Sequence, residues 1–271
     1  MIKFQCNRFE SKSGNPILSD AEIDVMAEDI LWDYKPSLLE KPGQIDYLHF
    51  LEYYLGANID YQYIYHDEDQ NRILGATAFN SEFLKVFNRV DMKIDIIEVQ
   101  PRTIILDNSL FDKGSKALAL YTGLHEGGHL WMHPKAFCQN VGQINMFDEP
   151  QKSSVICCRT QNIESNSARR TLKTPEDWRE HQADYFASAI AMPKSVFIKM
   201  VEQTLHYKGY RNNYVVYGGS LLESWFADQA LPRYVSDAFG VSRRAASIKL
   251  RKFGYVVDKN QDRQLRMDSE S

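Results

Sequence analysis

The sequence predicts an α+β fold: a small mixed or antiparallel sheet packed on one long helix, with a helical C-terminal region. Three observations predict it. Short stretches with strand character cluster before residue 107. One long helical pattern follows and stops at Pro134. From Thr174 onward the chain reads as successive helices. The 271 residues are 44% hydrophobic and 25% charged, enough apolar material for one large or two modest cores. The expected division is 1–195, 196–257 and a flexible tail at 258–271, with 135–173 as an insertion in the first part.

Residues 1–18 read as irregular. Ser19 caps a helix from Asp20 to Tyr34, with Ile23, Met26, Ile30 and Leu31 as its apolar stripe. Pro42-Gly43 breaks the chain, and a second helix runs to Leu55, where Gly56 stops it. Ile59, Tyr61, Tyr63 and Tyr65 alternate with polar neighbours as a half-buried strand does. Further strands are predicted over 72–79, 93–99 and 102–106. The long helix then starts at Gly114-Ser115 and ends at Met132, with Ala117, Tyr121, Leu124 and Gly128 as its buried stripe. Gly123, Gly127 and Gly128 each lower helix propensity by ~1 kcal/mol relative to alanine, which close packing or a ligand can justify. The polar 135–173 segment is too long for a plain connection, and Val155 to Arg159 reads as a strand within it. Thr174 caps the next helix, Pro175 fits its first position, and Met192-Pro193 closes it. Helices over 194–206, 219–229, 231–239 and 243–253 complete the chain ahead of the tail.

Net charge is −4 and the pI about 6.0, so no global basic field points to nucleic acid. The polar start lacks a secretory apolar core, and no run approaches the ~18 apolar residues of a membrane span. Cys6, Cys138, Cys157 and Cys158 show no metal or disulfide spacing, so they read as reduced thiols of a cytoplasmic protein.

The chemistry centres on Leu124-His125-Glu126-Gly127-Gly128-His129-Leu130, an H-E-x-x-H pattern. Residues four apart share a helix face, so His125 and His129 can hold one metal ion, and Glu126 lies one position round, within reach of a water. Neutral imidazole suits zinc. A catalytic zinc site needs a third protein ligand. His133 keeps the spacing but lies ~12 Å along the axis from His125, and it reads as the helix end rather than as a neighbour of the site. Met132 and Lys135 stand where a metzincin has glycine and histidine, so that class is excluded. The helix after Thr174 offers Glu180 and Asp184 on one face. Glu180 is preferred as the third ligand over Glu149 and Glu164, and Asp184 would accept the N–H of a ligand histidine. This is the gluzincin layout.

With these blocks in place, the chain resembles the ImmA/IrrE metallopeptidases. The resemblance rests on His125-Glu126-Gly127-Gly128-His129 with His133, and on Glu180-His181-Gln182-Ala183-Asp184-Tyr185-Phe186-Ala187 ending at Met192-Pro193. Phe239-Gly240-Val241-Ser242 before a basic helix adds to it. Family members often carry a bulkier residue where Gly127 stands. The resemblance implies a zincin-like fold, Zn2+ as cofactor, and an XRE-type helix-turn-helix repressor as the protein substrate. Glu126 would be the general base. His206, Tyr207 and Tyr210 are candidates for an oxyanion donor by residue type alone, and the 102–106 strand is the expected edge for a bound substrate strand. The competing class is a metal-containing regulator that binds DNA or a repressor without cutting. Its contacts would be Arg243, Arg244, Lys249 and Arg251, with Lys252, in a segment of helix-turn-helix character. Single-stranded DNA as an activating signal lies between the two.

Overall fold

The computed structural model describes residues 1–66, 72–111, 116–137, 155–159 and 172–269, with only the backbone course of 155–159 and 265–269. The expected helix start at Gly114-Ser115, Cys138, Glu149, Glu164 and most of the 135–173 insertion lie outside them. The fold is α+β, in two compact units. One comprises Met1–Tyr34 with Asp46–Ile190, the other Lys35–Ile45 with Ala191–Ser271.

In the first unit, α1 spans Asp20–Tyr34, and Ser19 and Glu22 exchange hydrogen bonds at its start. The second helix is short: α2 (Tyr47–His49), capped by Asp46, runs into a π-helical turn at Phe50–Tyr54. Strands β1 (Asn58–Gln62), β2 (Ile73–Ala78), β5 (Thr103–Asp107) and β6 (Val155–Arg159) form a mixed sheet in the order β1-β5-β2-β6. β1 is parallel to β5, and β2 is antiparallel to both β5 and β6. The expected strand inside the insertion therefore lies at one edge of this sheet, with β1 at the other. An unanticipated strand, β3 (Glu82–Asn88), pairs antiparallel with β4 (Lys93–Val99) in a separate hairpin. The Asn88 side chain accepts from the Val90 and Asp91 amides at its turn.

The 102–106 stretch was expected to offer a free edge. It does not: β5 is hydrogen-bonded by β1 on one side and β2 on the other, so no strand can add there.

Helix α3 (Lys116–Met132) packs against β2 and β5 and is buried from Ala119 onward except at Tyr121, on every face rather than along one stripe. Its glycines explain how. A Cβ on Gly123 would lie 2.6 Å from Tyr47 Cδ2, and one on Gly127 2.5 Å from Leu51 Cδ2. On another face, a Cβ on Gly128 would lie 3.3 Å from the Ala183 Cα and 3.0 Å from Phe186 Cδ1. After a single turn, α4 (Pro134–Phe137), and the undescribed stretch, α5 (Pro175–Ala191) follows with Ala183, Phe186 and Ala187 buried.

The second unit is built on α6 (Lys194–Tyr207), α7 (Leu221–Trp225), α8 (Leu231–Phe239) and α9 (Arg243–Lys252). Gly240, in the left-handed region at φ 70°, ends α8, and Ser242 caps α9 by accepting from the Ala245 amide. A short parallel pair, β7 (Val215–Tyr217) with β8 (Val256–Asp258), was not anticipated. In place of the expected flexible tail, Lys259–Ser269 forms helix α10.

Candidate metal centre

His125 and His129 project from one face of α3, with their Nε2 atoms 3.0 Å apart. Glu180 arrives from α5: Oε2 lies 3.5 Å from His125 Nε2, and Oε1 3.3 Å from His129 Nε2. One ligand atom from each residue falls within 4.8 Å of the others, and all three residues are buried. The predicted metal ligands are thus brought together. The donor set fits a divalent transition ion: two neutral imidazoles and one carboxylate, with both far ring nitrogens already engaged.

The electrostatics agree. Burial lowers the His129 pKa against the pull of Glu180, so the ring is held neutral.

The far nitrogen of His125, Nδ1, lies 2.8 Å from Asp184 Oδ1, as the sequence predicts, and the Tyr121 hydroxyl donates to the same oxygen at 2.7 Å. On His129, Nδ1 faces His133 Nδ1 at 3.0 Å, and His133 Nε2 lies 2.9 Å from Gln182 Oε1. His133 is therefore a buried neighbour of the site and not merely a helix end. Its ring, too, is held neutral well below the ordinary pKa, chiefly by burial.

Glu126 is fully buried against β2. The Thr77 hydroxyl donates to its Oε2 and lies 3.2 Å from its backbone carbonyl. Gly75, also on β2, leaves the room that this carboxylate occupies: a Cβ there would lie 2.9 Å from Glu126 Oε1. Sequence reasoning missed Thr77, Gly75 and Gln182. Only Gln182, on the same helix as Glu180 and Asp184, carried a local signal.

Elsewhere, Arg243, Arg244 and Arg251 are exposed on α9. Lys249 is not: it is 4% exposed, and its Nζ donates to the Met192 carbonyl at 2.6 Å, about 5.4 Å from the centroids of Phe197 and Phe253. It shares the inward face of α9 with Ala246 and Leu250, so it is unavailable to an anionic partner. His206 and Tyr207 are exposed on the second unit, and Tyr210 stacks on Phe226 at 5.2 Å. No helix among the described residues is long and apolar enough to cross a membrane.

Residues 154–251 match the family model Peptidase_M78, described as the IrrE N-terminal-like domain. No curated protein shows significant similarity to the chain. The family match takes in Glu180 and Asp184 but begins after His125 and His129, which join those residues through geometry. The resemblance to the ImmA/IrrE metallopeptidases is borne out on both counts: the chain matches their family over 154–251, and α3 supplies, ahead of that match, the two histidines that form with Glu180 a buried group that could hold a metal ion.

Proposed function

We propose that the protein is a zinc-dependent endopeptidase that hydrolyses a peptide bond in a partner protein, an XRE-type helix-turn-helix repressor, and so relieves transcriptional repression. One observation carries the reading: His125, His129 and Glu180 converge in a buried group, while Glu126 sits one residue along the same helix. In this reading His125, His129 and Glu180 hold the ion and Asp184 orients His125. A zinc ion supplies Lewis-acid polarisation of a carbonyl and acidifies water. Glu126 takes the proton of the attacking water and returns it to the leaving amine. Thr77, bonded to Oε2, keeps that carboxylate from rotating. Water-excluding walls come from the sheet on one side and α5 on the other.

The second reading, a metal-containing regulator that binds DNA or a repressor without cleaving, is favoured by the exposed Arg243 and Arg244 at the start of α9. Co-expression with a helix-turn-helix repressor encoded beside it, comparing wild type with Glu126→Gln, separates the two. Mass spectrometry of the repressor should show two fragments with wild type only, and a chelator should stop the cut. An intact repressor under every inducing condition refutes proteolysis.

A further inference from the structure

The two histidines are oriented by different chemistry. His125 faces a carboxylate; His129 faces another histidine. With His129 and His133 neutral, the chain of contacts beyond His129 has one self-consistent direction. It ends at the Pro16 carbonyl, which can only accept, so the Gln182 amide donates its N–H there, at 2.8 Å. Gln182 must then present Oε1 to His133, at 2.9 Å, and His133 Nε2 must carry the proton. In a neutral ring that leaves His133 Nδ1 as an acceptor, so His129 Nδ1, 3.0 Å away, must donate. The lone pair of His129 then lies on Nε2, on the side of His125 and Glu180.

We infer that His133, Gln182 and the Pro16 carbonyl form a one-way hydrogen-bond relay that sets the His129 tautomer for metal binding, which makes His133 and Gln182 positioning residues of the site. This rests on the metal-centre reading above. The relay does for His129 what Asp184 does for His125 without adding a charge. Glu126, Glu180 and Asp184 already place three carboxyl groups in this buried region, and a fourth would add to the desolvation cost. The relay also ties the site to the segment ahead of α1. Asn15 donates to the Pro175 carbonyl at 2.7 Å and accepts from Arg179 at 3.0 Å, which holds Pro16 against α5.

The test uses the full chain and measures zinc affinity by competition with a chromophoric chelator, the visible spectrum of the cobalt(II) form, and the melting temperature of the metal-free protein. His133→Leu removes the acceptor and should weaken zinc binding roughly 10–100-fold and alter the cobalt spectrum. His133→Asn puts a side-chain oxygen where Nδ1 stood and should restore both toward wild type. Gln182→Met frees His133 to turn its proton toward His129, and should weaken binding in the same direction. A role in packing alone would lower the melting temperature and leave affinity and spectrum unchanged, and that result overturns the relay. If His133→Leu does not fold, Gln182→Met decides: wild-type affinity and spectrum overturn the relay. Failure of the wild-type chain to bind zinc or cobalt would instead overturn the metal centre, and the relay with it.

Discussion

Gly75→Ala tests how closely the sheet is built onto α3. All six residues of β2 are buried, and the added methyl carbon would lie 2.8 Å from Thr122 Cγ2, 2.9 Å from Glu126 Oε1 and 3.0 Å from Glu126 Cγ. Thr122 and Glu126 are themselves fully buried, and a β-branched threonine on a helix has little rotamer freedom with which to yield. Overpacking of this kind costs about 1–3 kcal/mol. Replacing a strand glycine returns about 0.5–1 kcal/mol through the unfolded chain. The net loss is about 0–2.5 kcal/mol, a fall in melting temperature of up to roughly 10 °C for a unit of this size. The carboxylate of Glu126 is the movable part, so it should shift, and a displacement near 1 Å costs turnover about 10²-fold. Zinc affinity should not change, because the three atoms nearest the added methyl belong to Thr122 and Glu126 and not to His125, His129 or Glu180. The assays are a thermal melt, chelator competition, and repressor cleavage followed by mass spectrometry. A variant that melts and cleaves like wild type refutes the packing argument. One that melts lower yet cleaves normally refutes the role given to Glu126.

The remaining predictions concern pH and the second unit. His129 and His133 have folded pKa values below the ordinary 6.5, so the unfolded chain takes up protons first as pH falls, and their contribution is present above about 6.5 and lost below it. The melting temperature of the metal-free protein should therefore drop from pH 7 to 5; a flat profile contradicts the buried neutral rings. Lys249→Met leaves the Met192 carbonyl without this donor and should destabilise the second unit by roughly 1–3 kcal/mol in chemical denaturation. Arg243→Ala with Arg244→Ala should lower stability by at most about 1 kcal/mol and remove any salt-dependent binding to a DNA oligomer; binding that survives would place the contact elsewhere.

The site was legible where its chemistry is local. Four-residue spacing on one helix face puts His125 beside His129, and the same spacing puts Glu180 on the face of Asp184. What was illegible depends on elements distant in the chain. Thr77 reaches Glu126 across 49 residues from a strand whose own pattern says only that it is buried. The interior position of β5 follows from pairing with β1 and β2, and alternation along a strand does not reveal who its neighbours are. Two misses were avoidable. Leu84 and Val86, buried, alternate with the exposed Phe83 and Lys85 as a half-buried strand should, and Ala246, Lys249 and Leu250 fall at helical spacing around one inward face, which marks that lysine as buried among the basic residues near it.

The glycine at 127 has a counterpart. Leu51 fills from the neighbouring π-helical turn the volume that a side chain at 127 would fill from α3, with its Cδ2 2.5 Å from the missing Cβ. The two positions therefore act as one compartment with a fixed capacity, and bulk can be moved across the seam more readily than added to it. A larger residue at 127 is compatible with this architecture when position 51 shrinks by a similar amount, so the departure at Gly127 relocates a side chain without opening a hole beside the histidines.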